Sequence, residues 1–148
     1  MSDDWFWEGN VVTAVAENLR NMGWTIESTA NTETRAAGVD LHATKDGRVL
    51  LVEVKGYPSK FYMRGEKQGT KKPTNAGTQA RHWYSEVFLS AIIRQTESPT
   101  ATVAIAFPEF DVFVKRVKQT EDALRKLDIN VFFIKESGAM RTIGEANL

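Results

Sequence analysis

Three charged residues, Asp40, Glu53 and Lys55, sit inside the stretch GVDLHATKDGRVLLVEVKG, residues 38–56, most of which is apolar and strand-forming. Carboxylates are hard oxygen donors for divalent cations, and a lysine beside them offers positive charge to an anionic substrate. Asp46-Gly47, set between two apolar runs, is a two-residue hairpin turn in which both central positions take positive φ. With that turn Lys45 faces Arg48, and Asp40 falls directly opposite Glu53. Alternation places Val49, Leu51, Glu53 and Lys55 on one face of the strand, and Leu50, Val52 and Val54 on the other. Directly opposite side chains have Cβ atoms roughly 4.5–5.5 Å apart, so two ionised carboxylates there repel each other. They call for a cation. Lys55, one pleat beyond Glu53, can supply part of the charge, and a divalent metal with oxygen ligands can supply more; Mg²⁺ fits that donor set, with Mn²⁺ as a substitute.

Several elements must hold this hairpin. Residues 5–22 read as an amphipathic helix through Val11, Val12, Val15, Leu19 and Met22, with Gly23 as its stop. WTIEST is a short strand, followed by a polar connection and the hairpin. Residues 56–78 hold four Gly and two Pro with no steady period and read as a long loop. Thr78 is placed to cap a helix running through QARHWYSEVFLSAIIRQ, with Trp83, Val87 and Ile92 among its apolar positions. TATVAIAF reads as a buried strand, 115–127 as a helix with Val117, Ala123, Leu124 and Leu127 inward, and NVFFIKES as a strand before a turn at Gly138. The expected architecture is a single α/β domain over residues 1–148, a mixed sheet covered on both faces.

Composition narrows the function. The chain has 148 residues, no cysteine and a net charge of zero, which excludes disulfides and thiolate metal sites. The N-terminus is acidic and the longest apolar runs are strand-sized, so a cytoplasmic protein without a membrane span is expected. Charge is unevenly spread: residues 1–54 carry a net −5, residues 55–81 a net +6 with Glu66 as their one acid, and residues 82–148 a net −1. A basic segment that begins at Lys55 suits phosphate binding. No pair of histidines stands at zinc-ligand spacing, no Gly-rich loop of nucleotide-binding spacing occurs, and no nucleotide cofactor is expected.

The Asp of GVD, the hairpin, and then EVK resemble the PD-(D/E)xK nuclease superfamily, and the order of elements resembles its restriction endonuclease-like αβββαβ core. Val39 stands where the motif has proline. The resemblance implies that Asp40 and Glu53 hold Mg²⁺ and that Lys55 orients the attacking water and steadies the developing phosphate charge. Members often add a glutamate from the first helix. At about 100° per residue Glu8 projects to the side of Val11, Val15 and Leu19 while Glu17 projects to solvent, so Glu8 is the expected third metal ligand. Gln79 with Trp83 four residues on is similar to the Gln-x-x-x-Tyr element of exonuclease-like branches, which implies that Gln79 reaches the metal or a nearby phosphate.

The basic loop interleaves Lys60, Arg64, Lys67, Lys71 and Lys72 with Phe61 and Tyr62, and Arg81 follows in the next helix. Cations for phosphates and rings for bases are the ingredients of nucleic-acid binding. The expected function is Mg²⁺-dependent hydrolysis of the DNA backbone by metal-activated water, with Asp40, Glu53, Lys55 and Gln79 catalytic. A homodimer is the simplest means of cutting both strands. The competing reading is an inactive nucleic-acid-binding or assembly module on the same fold.

Overall fold

The computed structural model describes residues 5–30, 38–57, 68–70 and 75–148. Helix α1 (Glu8–Asn21) buries Val11, Val12, Val15, Ala16 and Leu19 along one stripe, as the i, i+4, i+8 spacing dictates. It ends at Gly23, which takes φ +94, the left-handed conformation glycine adopts without cost. Strand β1 (Thr25–Thr29) follows, then β2 (Leu41–Lys45) and β3 (Arg48–Val54). Asp46 and Gly47 have φ 51 and 77, so the turn is the primed type that matches strand twist. The register is the one Asp-Gly predicts, from Lys45 opposite Arg48 to Leu41 opposite Val52.

Helix α2 (Ala76–Glu97) carries the chain across to β4 (Thr102–Pro108), which lies parallel to β3. Asn75 caps α2, its side chain accepting the Thr78 N–H at 2.7 Å, so the helix begins earlier than a Thr78 cap implies. Asn is the stronger cap and sits three residues before the donor it satisfies. The single helix expected over 115–127 is two: α3 (Asp111–Gln119) and α4 (Glu121–Lys126). The break is Thr120, whose hydroxyl bonds the Arg116 carbonyl at 2.8 Å and also meets the Tyr84 hydroxyl. Strand β5 (Ile129–Ile134) runs parallel to β4, and β6 (Met140–Ile143), an edge strand absent from the sequence-based expectation, pairs antiparallel to β5.

The six strands lie in the order β1-β2-β3-β4-β5-β6. α1 packs on one face against Leu41, Leu50, Val52, Val54, Ala106 and Phe132. α2 and α3 cover the other through Tyr84, Val87, Ile105, Phe107, Phe113 and Phe133. β4 and β5 are sandwiched between these layers, which is why both read as continuous apolar runs. Among the described residues no helix is long and apolar enough to cross a membrane.

Candidate functional site

β3 buries Val52 and Val54 under α1, so Glu53 faces the α2 side, where it is 5% exposed. Asp40 lies one residue before the last β2–β3 pair, Leu41 opposite Val52. Its backbone carbonyl accepts the Ala30 N–H at 2.7 Å, and its side-chain Oδ2 accepts the Val54 N–H at 2.8 Å. The carboxylate thus satisfies a strand donor at the point where the ladder runs out. That holds the Asp40 carboxylate near enough to Glu53 for its charge to act on the Glu53 carboxyl group. The ladder ends at Leu41 opposite Val52, one step before the expected Asp40–Glu53 pair.

Electrostatics follow from the placement. Burial pushes Glu53 up to about 7; the Arg94 hydrogen bond pulls it down, and the neighbouring Asp40 charge pushes it up again. Arg94 of α2 donates Nε–H to Glu53 Oε1 at 2.6 Å and Nη1–H to Glu97 Oε2 at 2.8 Å. The bond to Glu53 is the largest cause of an upward shift in the pKa of the arginine. Among the described residues Arg94, and not Lys55, is the cation bonded to Glu53. The Lys55 ammonium stands 3.7 Å from Glu8 Oε1 and 3.8 Å from Glu86 Oε1, and 5.9 Å from the centre of the Trp83 ring.

Glu8 was expected with the carboxylates. It is solvent-exposed at the start of α1 and engages Lys55; among the described residues no three acidic or histidine side chains gather closely enough to hold a metal. Glu17 points to solvent, as the helical projection predicts. Gln79 is half-buried in the first turn of α2, Arg81 is exposed two residues on, and among the described residues no hydrogen bond joins the Gln79 side chain to Asp40, Glu53 or Lys55. Lys60, Phe61, Tyr62, Arg64, Lys67, Lys71 and Lys72 lie outside the described residues.

Arg94, Glu86 and Glu97 were not singled out from sequence, yet the signal was there. At about 100° per residue, Gln79, Trp83, Glu86, Ser90, Arg94 and Glu97 form one stripe along α2, beside the buried stripe of Ala80, Tyr84, Val87 and Ala91. From that polar stripe Arg94 reaches Glu53 and Glu86 reaches Lys55.

Two neighbouring carboxylates, Glu53 on β3 and Asp40 just before β2, can hold a hard divalent cation that keeps open positions for water and phosphate oxygens. A cleft of about 760 Å³ lies elsewhere, lined by Thr102, Ile129 and Asn130 among others. It opens at the N-terminal ends of β4 and β5, whereas Asp40 and Glu53 lie at the other end of the sheet.

No family model matches the chain, and no curated protein matches it. Among solved structures it is similar to an XisH family protein from Nostoc punctiforme PCC 73102, at 15% identity and a TM-score of 0.54, covering 90% of this chain and 98% of that one. It is also similar to a fdxN element excision controlling factor protein from Anabaena variabilis, at 14% identity and a TM-score of 0.49, covering 90% and 95%. At this identity the first likeness shows the fold alone: a mixed sheet flanked by helices on both faces, consistent with a restriction endonuclease-like core.

Proposed function

We propose that this chain is a Mg²⁺-dependent DNA phosphodiesterase of the PD-(D/E)xK type. The observation that carries the proposal is the pair Asp40 and Glu53, two neighbouring carboxylates at the end of an otherwise apolar hairpin. Such a pair fits Mg²⁺, which uses one or two carboxylates and fills its remaining positions with water and phosphate oxygens. Bound there, the ion supplies an acidified water and offsets phosphate charge. Asp40 is oriented for this by the Val54 N–H. Lys55 follows Glu53 on the same face; its two ion pairs are long, and an ammonium with three donors retains capacity for a phosphate oxygen.

Plasmid and single-stranded DNA incubated with Mg²⁺, Mn²⁺ or chelator test this. Wild-type protein should cut with either metal and stop with chelator. Asp40→Ala and Lys55→Ala should each lose about 100-fold or more, the scale of removing a group that stabilises transition-state charge. Cleavage that survives both substitutions would sink the assignment. One observation favours a second reading: Arg94 already neutralises Glu53 at 2.6 Å, as in a binding or assembly module that has no use for metal. DNA binding without cleavage under any metal would establish that module.

A further inference from the structure

The Arg94 guanidinium is anchored at two points of opposite character. Its Nε–H goes to Glu53, whose side chain is 7% exposed, and its Nη1–H goes to Glu97, whose side chain is 54% exposed. Its remaining nitrogen, Nη2, lies beside the turn that delivers Asp40: a methyl group added at Gly38 would sit 3.7 Å from it. Arg94 therefore occupies the ground between Glu53, the approach to Asp40, and solvent. A guanidinium binds two acceptors through a fixed fork, so it can release one while pivoting on the other. Glu97 is one helical turn further on, in the geometry of an i, i+3 pair. A positive charge bonded to the buried Glu53 carboxylate competes directly with a divalent cation for the same oxygens.

We propose that Arg94 is the resident counter-ion of Glu53, displaced when a divalent cation binds at Asp40 and Glu53, and that Glu97 receives it. The inference rests on the metal reading above, and it goes further by giving the site a built-in competitor that raises the metal concentration needed for occupancy. Without metal, Arg94 keeps Glu53 neutralised. With metal, Arg94 swings outward on Glu97 and adds positive charge at the rim, where a phosphate backbone would arrive.

The Nε–H of an arginine can be followed by ¹⁵N NMR, and the Val54 amide, bonded to Asp40 Oδ2, reports on the pair independently. In a Mg²⁺ titration of the wild-type protein at pH 8, both signals should shift together, and the Arg94 Nε–H should lose its protection from exchange with water. A Val54 shift with an unmoved Arg94 signal overturns displacement while leaving the metal site standing. Neither signal moving removes the metal site and this inference with it. Arg94→Gln should bind Mg²⁺ about tenfold more tightly at pH 8, the effect of one like charge removed at close range. Glu97→Gln should bind it more weakly. Weaker binding in Arg94→Gln would instead make Arg94 an orienting group for Glu53 and refute the competition.

Discussion

Glu53 is buried, lies near another carboxylate and is bonded to an arginine, and the balance of these sets its proton affinity. Its pKa rises from the usual 4.5 to about 7, with burial the largest cause. A carboxyl group whose pKa is higher in the folded than in the unfolded state contributes stability fully below pH 4.5, and that contribution is lost as the pH climbs to 7. One unit is worth about 1.4 kcal/mol, so the loss is about 3 kcal/mol. Urea unfolding of wild type and Glu53→Gln, subtracted pH by pH, should show that decline between pH 4.5 and 7; a flat difference would show that Glu53 titrates normally. Arg94 makes the complementary case. Arg94→Ala at pH 8 strands a buried carboxylate and should destabilise by about 3 kcal/mol, the scale for breaking a buried pair. At pH 5, where Glu53 takes up a proton, the same substitution should cost far less. Equal losses at the two pH values would mean that Arg94 contributes packing and not charge.

At the scale of elements, the site depends on a close approach between the end of β3 and the start of α1. Gly56 is buried there, and a Cβ on it would come within 2.5 Å of the Glu8 backbone nitrogen and 2.6 Å of the Phe6 carbonyl. The next residue, Tyr57, bonds that same carbonyl at 2.9 Å and stacks on Phe110. Gly56→Ala should therefore cost about 2 kcal/mol through forced backbone movement and separate Glu8 from Lys55; an unchanged denaturation midpoint would mean that the approach is not tight. This contact was not legible in the sequence, since it joins segments almost fifty positions apart. The hairpin was legible because Asp46-Gly47 fixes its register locally, and Asp40 and Glu53 followed from that register. The Thr120 break between α3 and α4 was hidden because it answers to Tyr84, on another helix. Arg94 was hidden for a different reason. α2 buries one stripe of small and aromatic residues and turns an adjacent polar stripe to the site, so its apolar pattern did not single out an inward arginine. The helical period from Gln79 through Trp83 to Arg94 was the readable clue.

Across the whole molecule, charge is segregated along the chain although its sum is zero, with a net +6 over residues 55–81 and a net −5 over residues 1–54. A DNA backbone is drawn to a concentrated patch, because each neutralised phosphate releases counter-ions. That segment leaves the sheet at Lys55, two residues after Glu53, and runs into α2. The cleft at the far end of the sheet has its own basic residues, Arg125 and Lys126, but these sit among Glu121, Asp128 and Glu145. The two ends therefore differ in what they offer a polyanion, and salt dependence separates them. Duplex binding measured without metal from 50 to 200 mM salt should give a log–log slope that falls by about 2 in the double substitution Lys71→Ala/Lys72→Ala, at roughly 0.9 per phosphate contact. Arg125→Ala/Lys126→Ala should leave the slope unchanged. Equal reductions from both pairs would show that binding follows overall charge, and the segment between β3 and α2 would lose its claim to be the DNA contact.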